Sequence, residues 1–166
     1  MSIARFNKWQ DTSGNVMNTV VQVVTVTDTT RTSVYSDNLA AIPNLSISIT
    51  PKYATSKILL LAMLNTNGQH VTSYGILRNG ATLGGSANSN VAGGAIATTY
   101  YGSDVGSNMY NQFIQYLDTA GTTSAITYAA ALSASWAGTP RTIYINDRDT
   151  SDMKCSSTLT ALEILQ

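Results

Sequence analysis

Residues 45–64, LSISITPKYATSKILLLAML, limit the possible folds more than any other part of the chain. Leu45, Ile47 and Ile49 alternate with Ser46, Ser48 and Thr50, which is the period of a half-buried β-strand. Pro51 stops the run because proline lacks the N–H that a strand ladder needs. After the polar turn PKYATS, Ile58 to Leu64 is apolar without interruption. Such a run is far short of the ~20 residues that cross a bilayer as a helix. It also lacks the polar face of a surface helix. It reads instead as a strand covered on both faces, joined to the alternating strand through a hairpin or a near-hairpin corner. One cover is a second sheet; the other is either loops or another subunit.

The rest of the chain repeats the pattern. No window holds apolar spacing at i, i+3, i+4 and i+7, whereas period two recurs. Val20–Thr27 (VVQVVTVT) is a β-branched strand, and Ser73–Arg78 leads into Asn79-Gly80, a hairpin-turn dipeptide, before Ala81–Leu83. Ala95–Tyr101, Tyr110–Leu117, Ile126–Ala134, Arg141–Ile145 and Thr158–Leu165 complete about nine predicted strands. Residues 84–94, GGSANSNVAGG, read as a loop. The expected fold is all-β, an antiparallel β-sandwich over 20–166 preceded by an extended N-terminal arm over 1–19. Phe6 and Trp9 are the arm's only large anchors.

Charged residues form 11% of the chain, against ~25% in an average domain, and Ser and Thr supply roughly a quarter. A surface of hydroxyls and amides fits burial against protein, because interface cores are depleted of charge. Net charge is zero with no basic stripe, so neither nucleic acid nor a membrane surface is an expected partner. The opening SIARFNKWQ has no apolar signal-peptide core, which points to synthesis in a cytoplasm.

Candidate chemistry is thin. His70 and Cys155 are the only residues of their kinds, so no zinc set or internal disulfide can be assembled. His70 sits in NTNGQHVTS without a nucleophile turn. Ser151–Lys154 matches S-x-x-K and Ser36-Asp37-Asn38 matches S-D-N, but the order is reversed and no K-T-G follows. Asn146, Asp147, Asp149 and Asp152 offer oxygens, yet their spacing departs from a calcium loop and Arg148 interrupts it, so a solvated loop is expected. The 84–94 stretch lacks the G-K-[ST] of a phosphate cradle, and Asn44-Leu45-Ser46 is only a formal glycosylation sequon. No catalytic residue, cofactor or metal site is expected. Tyr100, Tyr101, Tyr110, Tyr116 and Tyr128, with Trp136 nearby, suit subunit interfaces and sugar binding alike.

Four pieces together resemble a domain of tailed bacteriophages, found in marine and cyanobacterial phages as tail-fibre-like or virion proteins. They are the opening Gln22–Val24, the Leu45–Leu59 stretch, LDTAGTTSAITY over Leu117–Tyr128, and the closing Ala161–Ile164. The resemblance spans roughly residues 20–166 and departs from the family pattern at AAALSAS, where small residues replace charge. It implies a virion structural protein, a homotrimer of jelly rolls of the C1q and tumour-necrosis-factor type, with no chemistry of its own. On that basis Leu60, Tyr116, Tyr128 and Leu132 are expected at the subunit interface, and Phe6 and Trp9 at the contact with a virion partner. The expected role is a capsid decoration or cement protein bound to the major capsid protein at the virion surface. The alternative is a short tail-fibre tip recognising host glycan. A cytosolic enzyme is a third class, for which the sequence offers no site.

Overall fold

The alternating stretches form strands in the computed structural model, which describes residues 19–67, 71–88, 91–100, 108–136, 138–148, 150 and 152–165. In chain order these are β1 (Thr19–Asp28), β2 (Thr32–Tyr35), β3 (Ala40–Ile49), β4 (Lys57–Asn67) and β5 (Val71–Arg78). Then follow β6 (Ala81–Leu83), β7 (Ser86–Asn88), β8 (Val91–Ala95), β9 (Ala97–Tyr100) and β10 (Met109–Thr119). The chain closes with β11 (Ile126–Trp136), β12 (Thr139–Pro140), β13 (Thr142–Ile145) and β14 (Ser157–Leu165). No described residue is helical.

Two antiparallel sheets face each other. The first runs β1–β14–β4, with β10 on the other side of β4 and β13 and β2 continuing it at one end. The second is built on β11, between β3 and β5, with β6 and β9 beyond β5. The main pairs are nested: β1 with β14, β3 with β11, β4 with β10, and β5 with β9. That nesting is compatible with the expected jelly roll.

The alternation decides which side chains enter the core. Ile58, Leu60, Ala62 and Leu64 of β4 are fully buried against Leu45 and Ile49 of β3 and Ile126, Tyr128, Leu132 of β11. Tyr74 reaches across this core and its hydroxyl shares a hydrogen bond with Thr66 at 2.9 Å, so its polar tip is satisfied. At Asn79-Gly80 both residues have positive φ, 49° and 84°, the conformation a tight hairpin between β5 and β6 requires.

Of the hairpin and the near-hairpin corner expected at PKYATS, the corner is found: β3 pairs with β11 and β4 with β14 and β10, so the turn carries the chain between sheets. Ser86–Asn88 and Val91–Ala95, within a stretch expected to be loop, pair as the strands β7 and β8, and β8 packs against β5 and β11. Beneath that ribbon the outward positions of the second sheet are small. Ser73, Ala131 and Ser133 are fully buried, and a Cβ on Gly75 would lie 2.9 Å from Leu39 Cδ1. The small residues of AAALSAS therefore serve close approach within one chain. Finally, β2 escaped the sequence because TSVY is too short to show a period.

Candidate assembly interface

The second sheet is partly roofed by its own chain, whereas the first sheet's outer face carries exposed apolar side chains. Register places its outward side chains in rows. Val23 lies beside Leu162, Leu162 beside Leu59, and Leu59 beside Leu117, an aliphatic row across four strands. Leu61 follows between Thr160 and Gln115, and then Met63 between Thr158 and Phe113. On the other side of the aliphatic row, Val20 pairs with Ile164, and Lys57 with Thr119. Val23, Phe113 and Leu117 are each more than half exposed, and Val20 nearly so. Lys57 is the only charged residue in these rows, with its ammonium 2.7 Å from Thr119 Oγ1. Large contiguous apolar patches on a protein surface mark interaction sites.

The residues expected at a subunit interface are not on this face. Leu60, Tyr128 and Leu132 are fully buried in the core of one chain. Tyr116 is half-buried and also points inward, where a Cβ on Gly84 would collide with its ring. The error is one of parity. In a strand, a shift of one residue exchanges the two faces, so the outward members of the doubly apolar run are Leu59, Leu61 and Met63. A run in which every residue is apolar gives no sign of which half faces out. Phe6 and Trp9, expected to dock on a partner, lie outside the described residues.

Two buried polar clusters close the end of the sandwich where β1 begins. Glu163 of β14 is fully buried; one carboxylate oxygen accepts from the Lys52 and Tyr53 amides at 2.8 and 3.2 Å, the other from Gln22 Nε2 at 2.7 Å. Gln22 also donates to the Thr50 carbonyl. These bonds pin the β3–β4 corner to β1 and β14 of the first sheet. Across the sandwich, the Arg78 guanidinium donates to Asp118 at 2.8 Å and to the Thr119 and Ala120 carbonyls. Tyr128 donates to the same carboxylate at 2.7 Å. Burial, then the Asp118 hydrogen bond, push its phenol well above the usual range, so it stays protonated and donating. Gln22, Glu163, Asp118 and Tyr128 all belong to the pieces that carry the phage resemblance. Their chemistry here is structural.

The loop expected to be solvated is so only in part: Thr150 and Asp152 are exposed, but Asn146 and Asp147 are fully buried. The Asn146 amide donates to the Asp28 and Thr30 carbonyls and its oxygen accepts from Ser157. Asp147 pairs with Lys154 and accepts from the Arg148 and Met153 amides, the ion pair with Lys154 being the main reason its carboxyl titrates low. Asp152 pairs with Arg148. Two of the carboxylates weighed as oxygen ligands, Asp147 and Asp152, are thus held by cationic side chains, and no group of three metal-ligating residues occurs among the described residues. Burial, then Asp147, push the Cys155 thiol up, the reverse of a reactive cysteine. His70, Asp149 and Ser151 lie outside the described residues.

No protein-family model matches the chain, and no curated protein matches it. The class that fold and surface define is an antiparallel β-sandwich with one apolar outer sheet face.

Proposed function

We propose that this chain is a non-enzymatic structural protein of a bacteriophage virion, a homotrimer that decorates and cements the capsid surface. The single observation that carries the reading is the aliphatic row Val23–Leu162–Leu59–Leu117 with its neighbours, which a single chain leaves exposed. Sister copies covering that face would bury the greasy surface and tie the subunits into one particle component. Each trimer would then hold several shell subunits at once, gaining strength by multivalency rather than from one tight contact. The motif resemblance to tailed-phage proteins supplies the biological setting. The test has two arms. Light scattering at micromolar concentration should give three times the chain mass, and purified protein mixed with intact undecorated capsids should bind them. A stable monomer, or capsids left bare, would overturn the reading.

A tail-fibre tip that recognises glycan is favoured by a different surface. Tyr35, 65% exposed on β2, shares an outward face with Tyr144 of β13, over whose ring the Arg31 guanidinium sits at 3.9 Å. Ser33 and Thr142 place hydroxyls beside them, and aromatic faces flanked by hydroxyls suit sugar rings. A glycan array separates the two roles, since a cement protein has no need of host sugars.

A further inference from the structure

The two long edges of the first sheet, β1 and β10, are defended unequally. At β1 the register breaks between Val20 and Gln22, and the Lys52 ammonium reaches the Val21 carbonyl at 3.3 Å. A bulge and a lysine are common means by which proteins keep foreign strands off an edge. The opposite edge, β10, has neither. It pairs with β4 without a register break, and none of its residues is proline, lysine or arginine. No described strand lies on its other side. Its end shows which backbone groups face that side. The Ala120 amide donates to the Ser56 carbonyl at 2.9 Å, continuing the ladder, so even-numbered residues turn their backbone groups toward β4. Alternation turns those of Met109, Asn111, Phe113, Gln115 and Leu117 away from it. Thr119 closes this row, its N–H donating to Asp118 Oδ1 at 2.8 Å and its carbonyl accepting from Arg78 at 2.9 Å.

The same row is self-complementary. Its side chains alternate apolar and amide: Met109, Asn111, Phe113, Gln115, Leu117. Reversed about Phe113, apolar falls on apolar and amide on amide, and on the inner side Tyr110 falls on Tyr116. A two-fold axis makes this demand, because residue i of one copy meets j of the other and j meets i. We infer that β10 is completed by β10 of a second copy, added antiparallel about a two-fold axis at Phe113. The outward pairs are then Phe113 with Phe113, Asn111 with Gln115 and Met109 with Leu117, each exchanging two backbone hydrogen bonds. Phe113 and Leu117, both more than half exposed, gain an aromatic and an aliphatic cross-strand neighbour. An axis at Gln112 or Ile114 sets Phe113 against an amide. One at Gln115 requires Thr119, whose backbone groups are taken. The contact spans Met109–Leu117 on each side, well short of the ~20–30 residues of a standard interface. At micromolar concentration it is therefore transient and leaves the mass expected there unchanged. It lies in the plane of the sheet rather than on the outer face, and the inference does not depend on the virion reading.

The test is register-specific cross-linking in the full chain carrying Cys155→Ser. Asn111→Cys and Gln115→Cys fall at exposed positions, and a mild thiol oxidant traps even brief contacts. The expected result is disulfide-linked pairs when the two variants are mixed, and at least ~10-fold fewer from either alone. Position 111 faces 115 across the axis, whereas each lies ~13 Å along the strand from its own copy, too far for a disulfide. Adding Phe113→Pro removes an N–H that faces away from β4, which an edge strand tolerates. It should cut the mixed yield at least ~10-fold while circular dichroism shows the chain still folded. With Val23→Asp added instead, the cross-link should persist, so this contact and the outer-face assembly fail separately. Equal yields from the mixture and from either variant alone, no cross-link at all, or a mixed yield untouched by Phe113→Pro would overturn the inference. So would loss of the cross-link with Val23→Asp, because copies would then meet only through the outer face.

Discussion

A charge placed in the middle of the outer face separates an assembly surface from an ordinary apolar exterior. Val23 is 56% exposed and Leu117 53%, so about half of each side chain is still in water. Fully burying such a side chain is worth ~1.5–3 kcal/mol, which leaves ~1 kcal/mol for each to gain on contact. Association itself costs ~4–15 kcal/mol, so the whole face must be covered for copies to hold together. Val23→Asp removes the gain at one position and forces an unpaired carboxylate out of water, at a cost of several kcal/mol on the order of 3–5. With ~1.4 kcal/mol per factor of ten, each contact should weaken at least ~100-fold. Within a single chain the same change falls on an exposed strand position and should cost no more than ~1 kcal/mol. Sedimentation and a thermal melt on one sample give both quantities. The parent should sediment as a trimer and Val23→Asp as a folded monomer. Leu132→Ala should do the reverse, losing ~2–5 kcal/mol of stability while its folded fraction stays trimeric. If Val23→Asp remains a trimer, the outer face is not where copies meet, and the parity argument made for Leu59, Leu61 and Met63 fails with it.

The end clusters and one tight contact give further expectations. Because the Tyr128 phenol titrates higher folded than unfolded, its stabilisation is complete below the free-tyrosine pKa of ~10 and declines above it, at ~1.4 kcal/mol per pH unit. Urea midpoints from pH 9 to 11 should show that slope in the parent, and Tyr128→Phe should lose one proton's worth of it. Glu163→Ala strands the Lys52 and Tyr53 amides and the Gln22 side chain, each worth ~1–3 kcal/mol. Glu163→Gln keeps one acceptor oxygen and should lose visibly less in urea unfolding. Gly84 has φ +56°, and a side chain there meets the Tyr116 ring, so Gly84→Ala should cost ~1–3 kcal/mol. Tyr116→Ala in the same chain should relieve the collision but not the backbone strain, giving a non-additive pair by melting.

The fold class was legible because period two survives in nearly every long strand. Leu45, Ile47 and Ile49 entered the core as the alternation required, and so did Ile126, Tyr128 and Leu132. What the sequence concealed has physical causes. Whether PKYATS closes a hairpin or turns a corner depends on partners far along the chain, β11 for β3 and β14 for β4. The β7–β8 ribbon has Gly and Asn where strand formers would announce it, since it is held by what lies beneath it. The outer face was half visible. The doubly apolar run demanded a second cover, but only register with β14 and β10 shows that Leu59, Leu61 and Met63 face out beside Leu162 and Leu117.

The motif pieces and the outer face are made of different residues. In this chain the pieces hold the end clusters. Gln22, Lys52 and Glu163 join the first, second and fourth pieces; Asp118 and Tyr128 of the third, with Arg78, close the other layer. A buried carboxylate that accepts two backbone amides can be replaced only by another acceptor of its shape, whereas an outward Leu tolerates Val, Ile or Met as long as the contact stays apolar. Geometry therefore writes itself into motifs and assembly into hydrophobicity alone. For a sandwich of this kind, the place to look for partners is the half of each motif strand whose residues the motif leaves unspecified.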